Sequence, residues 1–283
     1  MSKLALGTVQ FGLDYGVTNQ SGQVAIKEVG NILDLAKDNG IDTLDTASCY
    51  GNSEQILGKV GVDNYKVITK TISLENGISK VINGFYQSLN RLDQKQVEGL
   101  LIHNIKDIKD KQFDMLFSKL NELKQQGLIK KIGFSTYTPG QVDFLLENFD
   151  FDLIQVPFNV FDTRLIDGGQ LSKLKNKKIE IHARSIFLQG ILVNLGECNG
   201  YFSTWKKEFD EYREIVEKNE STLLEYAINY VLSVPEIDKA LFGVSNIQQL
   251  IEIFKSIHSD NIINVKAFSI NNINLLNPSL WKV

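Results

Sequence analysis

The sequence contains only two cysteines, Cys49 and Cys198, among 283 residues. Two thiols so far apart exclude a disulfide framework and a four-ligand zinc site, and three histidines leave too little for a His/Cys metal cluster. No metal is expected. Proline is scarce too, with four residues, and none lies in a linker-like tract. Long hydrophobic runs are missing: none approaches the roughly 20 apolar residues that span a bilayer as a helix. The apolar start of the chain is broken by Gly7, Thr8 and Gln10 before it reaches the length of a signal-peptide core. Positive charge is not in excess either. The 34 acidic and 30 basic residues leave a net charge of -4, so no broad basic field draws in a nucleic-acid backbone. These absences predict a soluble cytoplasmic protein in a reducing compartment, with neither nucleic acid nor membrane as a partner. They leave the oligomeric state open.

What is present is a large apolar fraction, 43%, enough for a substantial core in a single domain spanning 1–283, with 262–283 as a tail. Short β-rich runs occur at residues 4–6, 43–45, 66–69, 97–102, 132–134, 153–156, 180–183 and 239–242. A helical pattern follows each one, as in parallel strands joined by helical crossovers. Eight such units predict an α/β fold, a closed (β/α)8 barrel. Ile26, Val29, Ile32, Leu33 and Ala36 mark the first helix before Asn39 and Gly40 end it. Residues 113–126 put Met115, Leu116, Leu120 and Leu123 on one predicted face, and Thr138-Pro139 opens the next helix. The lysines at 173, 175, 177 and 178 read as a solvated helix end. Two long loops, residues 10–23 and 189–205, interrupt the alternation. In such a barrel the active site lies at the C-terminal ends of the strands, and both loops overhang it. The tail, which carries Trp281, either closes over the barrel or packs outside it.

Three strands end in titratable groups: Asp45, Lys70 and His103. Tyr50 follows Asp45 within the segment DTASCYGNSE. Each alone has a plain structural reading: Asp45 as a turn cap, Lys70 as an exposed lysine, His103 as a core histidine, Tyr50 as packing. Four such residues at consecutive strand ends are better explained by one pocket. An ammonium next to a tyrosine favours the phenolate and is expected to lower the phenol pKa. A carboxylate keeps the lysine charged, and a histidine orients a carbonyl oxygen. Cys49, beside Tyr50, reads as a small buried filler rather than a reactive thiol.

These residues resemble those of the aldo-keto reductases, NAD(P)H-dependent (β/α)8 barrels. DTASCYGNSE is similar to the family signature at the second strand, VITK to the lysine at the end of the third, and LLIHN to the histidine at the end of the fourth. The resemblance covers roughly residues 3–256 and implies a catalytic tetrad of Asp45, Tyr50, Lys70 and His103. It also implies cofactor contacts. GFSTYTP places Ser135 at the nicotinamide carboxamide, with Thr136 where asparagine is usual, and QVPFN offers Gln155 as a second partner. ARSIFLQG places Arg184 where the family carries an aromatic that stacks on the nicotinamide, with Ser185, Phe187 and Gln189 near the pyrophosphate. Arg184 can stack, reach the pyrophosphate or meet an anionic substrate.

In GVSNIQQLIEIF the positions of the usual 2′-phosphate lysine and arginine hold Gly243 and Gln249, with Ser245 and Asn246 near the ribose. Loss of those cations predicts either relaxed use of NADPH and NADH or a shift towards NADH. The first long loop supplies Tyr15, Asn19 and Gln20 above the tetrad, and Phe11, Tyr15, Phe158 and Trp205 are candidate substrate contacts. That loop and the RSIFLQG run resemble those of family members associated with bacterial sugar and surface-polysaccharide biosynthesis. The resemblance thus implies reduction of a small carbonyl substrate, with a sugar or sugar nucleotide as one candidate. Two other readings are a cofactor-binding regulatory or sensor barrel with little turnover, and a Schiff-base lyase using Lys70.

Overall fold

A computed structural model describes residues 3–197, 200–257 and 267–282. Eight strands run in sequence order around a closed barrel: β1 (Leu4–Gly7), β2 (Thr43–Asp45), β3 (Lys66–Lys70), β4 (Val97–Ile102), β5 (Ile129–Ser135), β6 (Leu153–Pro157), β7 (Glu180–Arg184) and β8 (Lys239–Phe242). Every neighbouring pair is parallel, and β1 closes the ring on β8 through Ala5 opposite Leu241. The predicted (β/α)8 barrel is therefore the fold. β5 begins three residues earlier than the sequence pattern placed it, at Ile129, because its first residues, Lys130 and Lys131, carry charge that masks the strand signal.

Alternation of side chains along each strand decides what the barrel holds. Leu44, Leu100, Ile132, Ile154, Ile181 and Ala240 face outward into the large apolar layer beneath the helices. Ile68, Leu101 and Leu153 form a separate cluster inside the barrel, and Gly99 leaves room for them: a Cβ there would lie 2.8 Å from Ile68. Two residues beyond each of these inward positions come Lys70, His103 and Gln155, all at the C-terminal end. The same period brings Asp45, Ser135 and Arg184 to that end.

The helices follow the expected signals. Thr138 and Gln141 form a reciprocal capping box with Pro139 at the first turn. In the helix Phe113–Gln125, Phe113, Leu116, Leu120 and Leu123 are buried. Met115 is 62% exposed; the 3-4-3 spacing of the buried set turns it off that face. Among the lysines expected at a solvated helix end, Lys173 pairs with Asp143 at 2.7 Å and Lys175 with Asp238 at 2.8 Å.

The described part of the tail packs on the segments that follow β6 and β7. Phe268 and Ile270 donate backbone bonds to Val160 and Phe161, and Trp281 sits edge-on to Phe202 at 4.9 Å. Residues 262–266 and Val283, like Cys198 and His258, lie outside the described residues. No described helix is long and apolar enough to cross a membrane.

Candidate active site

The inward-facing strand ends converge on one ion pair. Lys70 Nζ lies 2.6 Å from Asp45 Oδ2 and donates a second hydrogen bond to the Thr46 carbonyl at 2.8 Å. Both side chains are withdrawn from water, at 0% and 7% exposure. Gln155 Nε2 donates to the other carboxylate oxygen, Asp45 Oδ1, at 2.7 Å. Tyr50 is placed over this pair, with Lys70 Nζ 5.0 Å from its ring centroid, and His103 meets the tyrosine edge-on at 6.0 Å. The four predicted catalytic residues are thus brought together. With Nζ held by two acceptors beneath the cleft, Lys70 is poorly placed to act as a Schiff-base nucleophile.

Tyr50 lies in a loop fixed by close backbone approach. A Cβ added to Gly12 would fall 1.8 Å from the Tyr50 carbonyl oxygen, and Gln23 ties the first long loop to Asn52 at 2.7 Å. Gly12→Ala is therefore expected to push the two loops apart and to cost about 1–3 kcal/mol of stability, while far-ultraviolet circular dichroism shows the barrel intact; thermal denaturation of the variant checks this.

The electrostatics correct one expectation. Burial, reinforced by the Asp45 charge, pushes the Tyr50 phenol well above its ordinary value; desolvation wins because the phenolate is the form burial penalises. Tyr50 is thus a protonated phenol at neutral pH. Burial also pulls Lys70 down, against the opposing pull of Asp45. His103 is lowered to about 4 by burial and by the Lys70 and Arg184 charges, so its ring is neutral. Cys49 is exposed rather than buried, and its Sγ lies 3.3 Å from His103 Nδ1. Burial of the sulfur's surroundings raises its pKa, so it remains a thiol at neutral pH. Sequence inspection missed this contact because 54 residues separate the partners.

Above the tetrad lies a cleft of about 710 Å³. Tyr50, His103, Ser135, Gln155 and Arg184 line it together with Gly243, Ser245 and Gln249. Tyr15, Ser185, Phe187 and Gln189 also line it, with Gln189 donating to the Tyr15 hydroxyl at 3.1 Å. Three candidate substrate contacts are elsewhere. Phe11 is fully buried in the core. Phe158 stacks on Tyr230 at 5.7 Å, and Trp205 packs on Tyr201 at 5.2 Å; their strand-end or loop positions are occupied by apolar contacts beneath the wall. Thr136 is also fully buried off the cleft, and its carbonyl accepts from Arg184 at 2.9 Å.

The cleft suits a dinucleotide. The Gln10 carboxamide oxygen is buried there without a hydrogen-bond partner, and the wall offers amide and hydroxyl groups along its length. A Cβ at Gly243 would sit 2.4 Å from that same Gln10 oxygen, so no lysine fits at this position without displacing Gln10. The loop after β7 is held at positive φ at Ser185 (56°), Leu188 (48°), Gln189 (54°) and Gly190 (95°), a concentration of costly backbone typical of functional turns. Sequence inspection also missed Glu252, which lines the cleft; it sits one helical turn beyond Gln249 on an otherwise ordinary helix.

A closed (β/α)8 barrel carrying a buried Asp-Lys pair with Tyr and His at the base of a dinucleotide-sized cleft defines an NAD(P)H-dependent oxidoreductase class. The Aldo/keto reductase family model matches residues 3–267, and the chain belongs to that family. It is 26% identical over 278 residues to the uncharacterized oxidoreductase YqkF of Bacillus subtilis (strain 168), covering 89% of this chain and 90% of that protein. It is 24% identical to the aldo-keto reductase YhdN of the same strain, over 88% of this chain and 83% of that one. Among solved structures, the holo form of the aldo-keto reductase AKR11C1 from Bacillus halodurans aligns with a TM-score of 0.74 at 20% identity, over 92% of this chain and 88% of that chain.

Proposed function

We propose that this protein reduces an aldehyde or ketone to an alcohol, with Tyr50 as the proton donor and NADH as the favoured reductant. The observation that carries the reading is the buried Asp45–Lys70 pair under a protonated Tyr50 at the base of the cleft. A bound reduced nicotinamide supplies hydride to the carbonyl carbon. Tyr50 gives its phenolic proton to the carbonyl oxygen, and the resulting phenolate is stabilised by the Lys70 ammonium 5.0 Å from its ring and then reprotonated from solvent. Asp45 holds that ammonium in place, and Gln155 holds Asp45. His103 Nδ1 is in contact with Cys49 Sγ at 3.3 Å, which leaves Nε2 of the neutral imidazole to orient the carbonyl oxygen. Ser135 and Gln155 would hold the carboxamide, and Ser185 and Gln189 the pyrophosphate. The tetrad supports turnover over a purely sensory role, and the polar groups of Tyr15 and Asn19 on the cleft wall suit a hydroxylated substrate of the sugar type.

The acid that protonates the oxygen is active while protonated, so activity should persist below the Tyr50 pKa and fall above it. His103 acts as the neutral form, so activity should fall as pH drops through its value of about 4. The kcat profile for reduction is therefore expected to be flat from about pH 5 through neutrality, with its alkaline limb set by loss of the Lys70 proton, which burial draws down, before Tyr50 ionises; a limb near pH 6.5 would show a histidine titrating as if exposed.

NADH is favoured because the ribose end carries Ser245, Gln249 and the Glu252 carboxylate in place of strong cations. A carboxylate accepts from a ribose hydroxyl and repels a 2′-phosphate. Calorimetric titration is expected to give NADH at least tenfold tighter binding than NADPH, with Glu252→Gln narrowing the gap several-fold. Equal affinities would overturn the preference, and binding of neither would overturn the reading.

A further inference from the structure

Arg184 ends β7 half-buried on the cleft wall. Its guanidinium lies over the Tyr137 ring, with Cζ 4.2 Å from the centroid. It donates to the Thr136 carbonyl at 2.9 Å and the Ser185 hydroxyl at 3.3 Å. A guanidinium has five N–H donors, so these contacts orient the fork without exhausting it. No carboxylate of the described residues lies within ion-pair distance of it. Asp45, the acidic residue that lines the cleft beside the tetrad among the described residues, has both oxygens engaged, by Lys70 and by Gln155. The Arg184 charge reaches the reacting position, since it bears on Tyr15, Tyr50, Lys70 and His103 alike.

We infer that Arg184 recognises an anionic group, a carboxylate or phosphate, carried by the carbonyl substrate close to its C=O. This rests on the carbonyl-reductase reading above. Lys70 and Arg184 against Asp45 leave one uncompensated positive charge at the tetrad end of the cleft. A planar oxyanion matches the guanidinium fork, and the desolvated setting strengthens the contact. The oxidised nicotinamide, itself cationic, is a poor counterpart for the same fork. Stacking on Tyr137 and the bond to Thr136 hold the fork in one orientation, so little freedom remains to be lost on binding. The anion thus anchors the substrate while its carbonyl lies against Tyr50.

The test uses two probes that differ in charge, 4-carboxybenzaldehyde and benzaldehyde, reduced by the whole enzyme with NADH. The wild type is expected to favour the carboxylated aldehyde at least tenfold in kcat/KM. Arg184→Met should bring the ratio to about one, and Arg184→Lys should restore part of it. Calorimetric binding of 4-(hydroxymethyl)benzoate and benzyl alcohol reads the same preference without turnover. If neither aldehyde is reduced but the acid still binds in an Arg184-dependent way, the reductase reading fails and the anion site stands. A ratio that Arg184→Met leaves unchanged overturns the inference. An unchanged ratio with a tenfold loss of affinity for ADP-ribose assigns the guanidinium to the cofactor pyrophosphate instead, and equally overturns it.

Discussion

Tyr50→Phe is expected to lower kcat for carbonyl reduction by roughly 10²- to 10⁴-fold, the range over which a positioned general acid acts, while NADH affinity changes less than threefold. The substitution removes one oxygen and leaves the ring over Lys70 Nζ and edge-on to His103. Packing is therefore retained, and the loss reports on the proton. Burial that raises the phenol pKa keeps the donor loaded at neutral pH, and the Lys70 ammonium steadies the phenolate only as it forms. That is stabilisation of the transition state rather than of the resting enzyme. Stopped-flow kinetics with saturating NADH would separate the chemical step from product release. Retention of more than a tenth of the wild-type rate would remove Tyr50 from the role.

Lys70→Met is expected to cost stability as well as activity. Its Nζ is fully withdrawn from water and bonded to Asp45 and to the Thr46 carbonyl. Removing it leaves the Asp45 carboxylate buried with the Gln155 amide as its remaining side-chain partner. Breaking one side of a buried pair costs about 3–5 kcal/mol, which for a chain of this size lowers Tm by roughly 5–8 °C. The double variant Lys70→Met/Asp45→Asn should recover part of that loss, because no unpaired charge remains. Thermal denaturation of these two variants and of Asp45→Asn alone gives the coupling directly, and a Lys70→Met protein as stable as the wild type would mean that the Asp45–Lys70 pair contributes nothing to stability. Activity should be lost in all three.

The strands were readable because each is a short apolar run flanked by turns, and burial on both faces requires such runs. The tetrad was readable because barrel chemistry concentrates at strand ends. What failed did so for identifiable reasons. Phe11, Phe158 and Trp205 are aromatic residues near the correct loops, but an aromatic side chain buries equally well in the core or at a pocket wall, and sequence position does not say which. The same ambiguity reversed the reading of Cys49. The direction of the Tyr50 shift depended on how completely the ring was desolvated, and a neighbouring lysine in the sequence pattern gives the sign of only one contribution. Glu252 and Gln10 carry no motif; they matter because the last strand and the first loop come together around Gly243.

The sequence by itself determined the strand order, the barrel and the identity of the residues at its C-terminal mouth, because period-2 alternation and strand-end position are properties of the linear pattern. Only the tertiary structure decided which aromatics line the cleft, that Tyr50 stays protonated, that Gln10 occupies the space beside Gly243, and that Arg184 has no carboxylate partner among the described residues. Those properties depend on desolvation and on contacts between residues far apart in the chain, as in the 110 residues between Asp45 and Gln155.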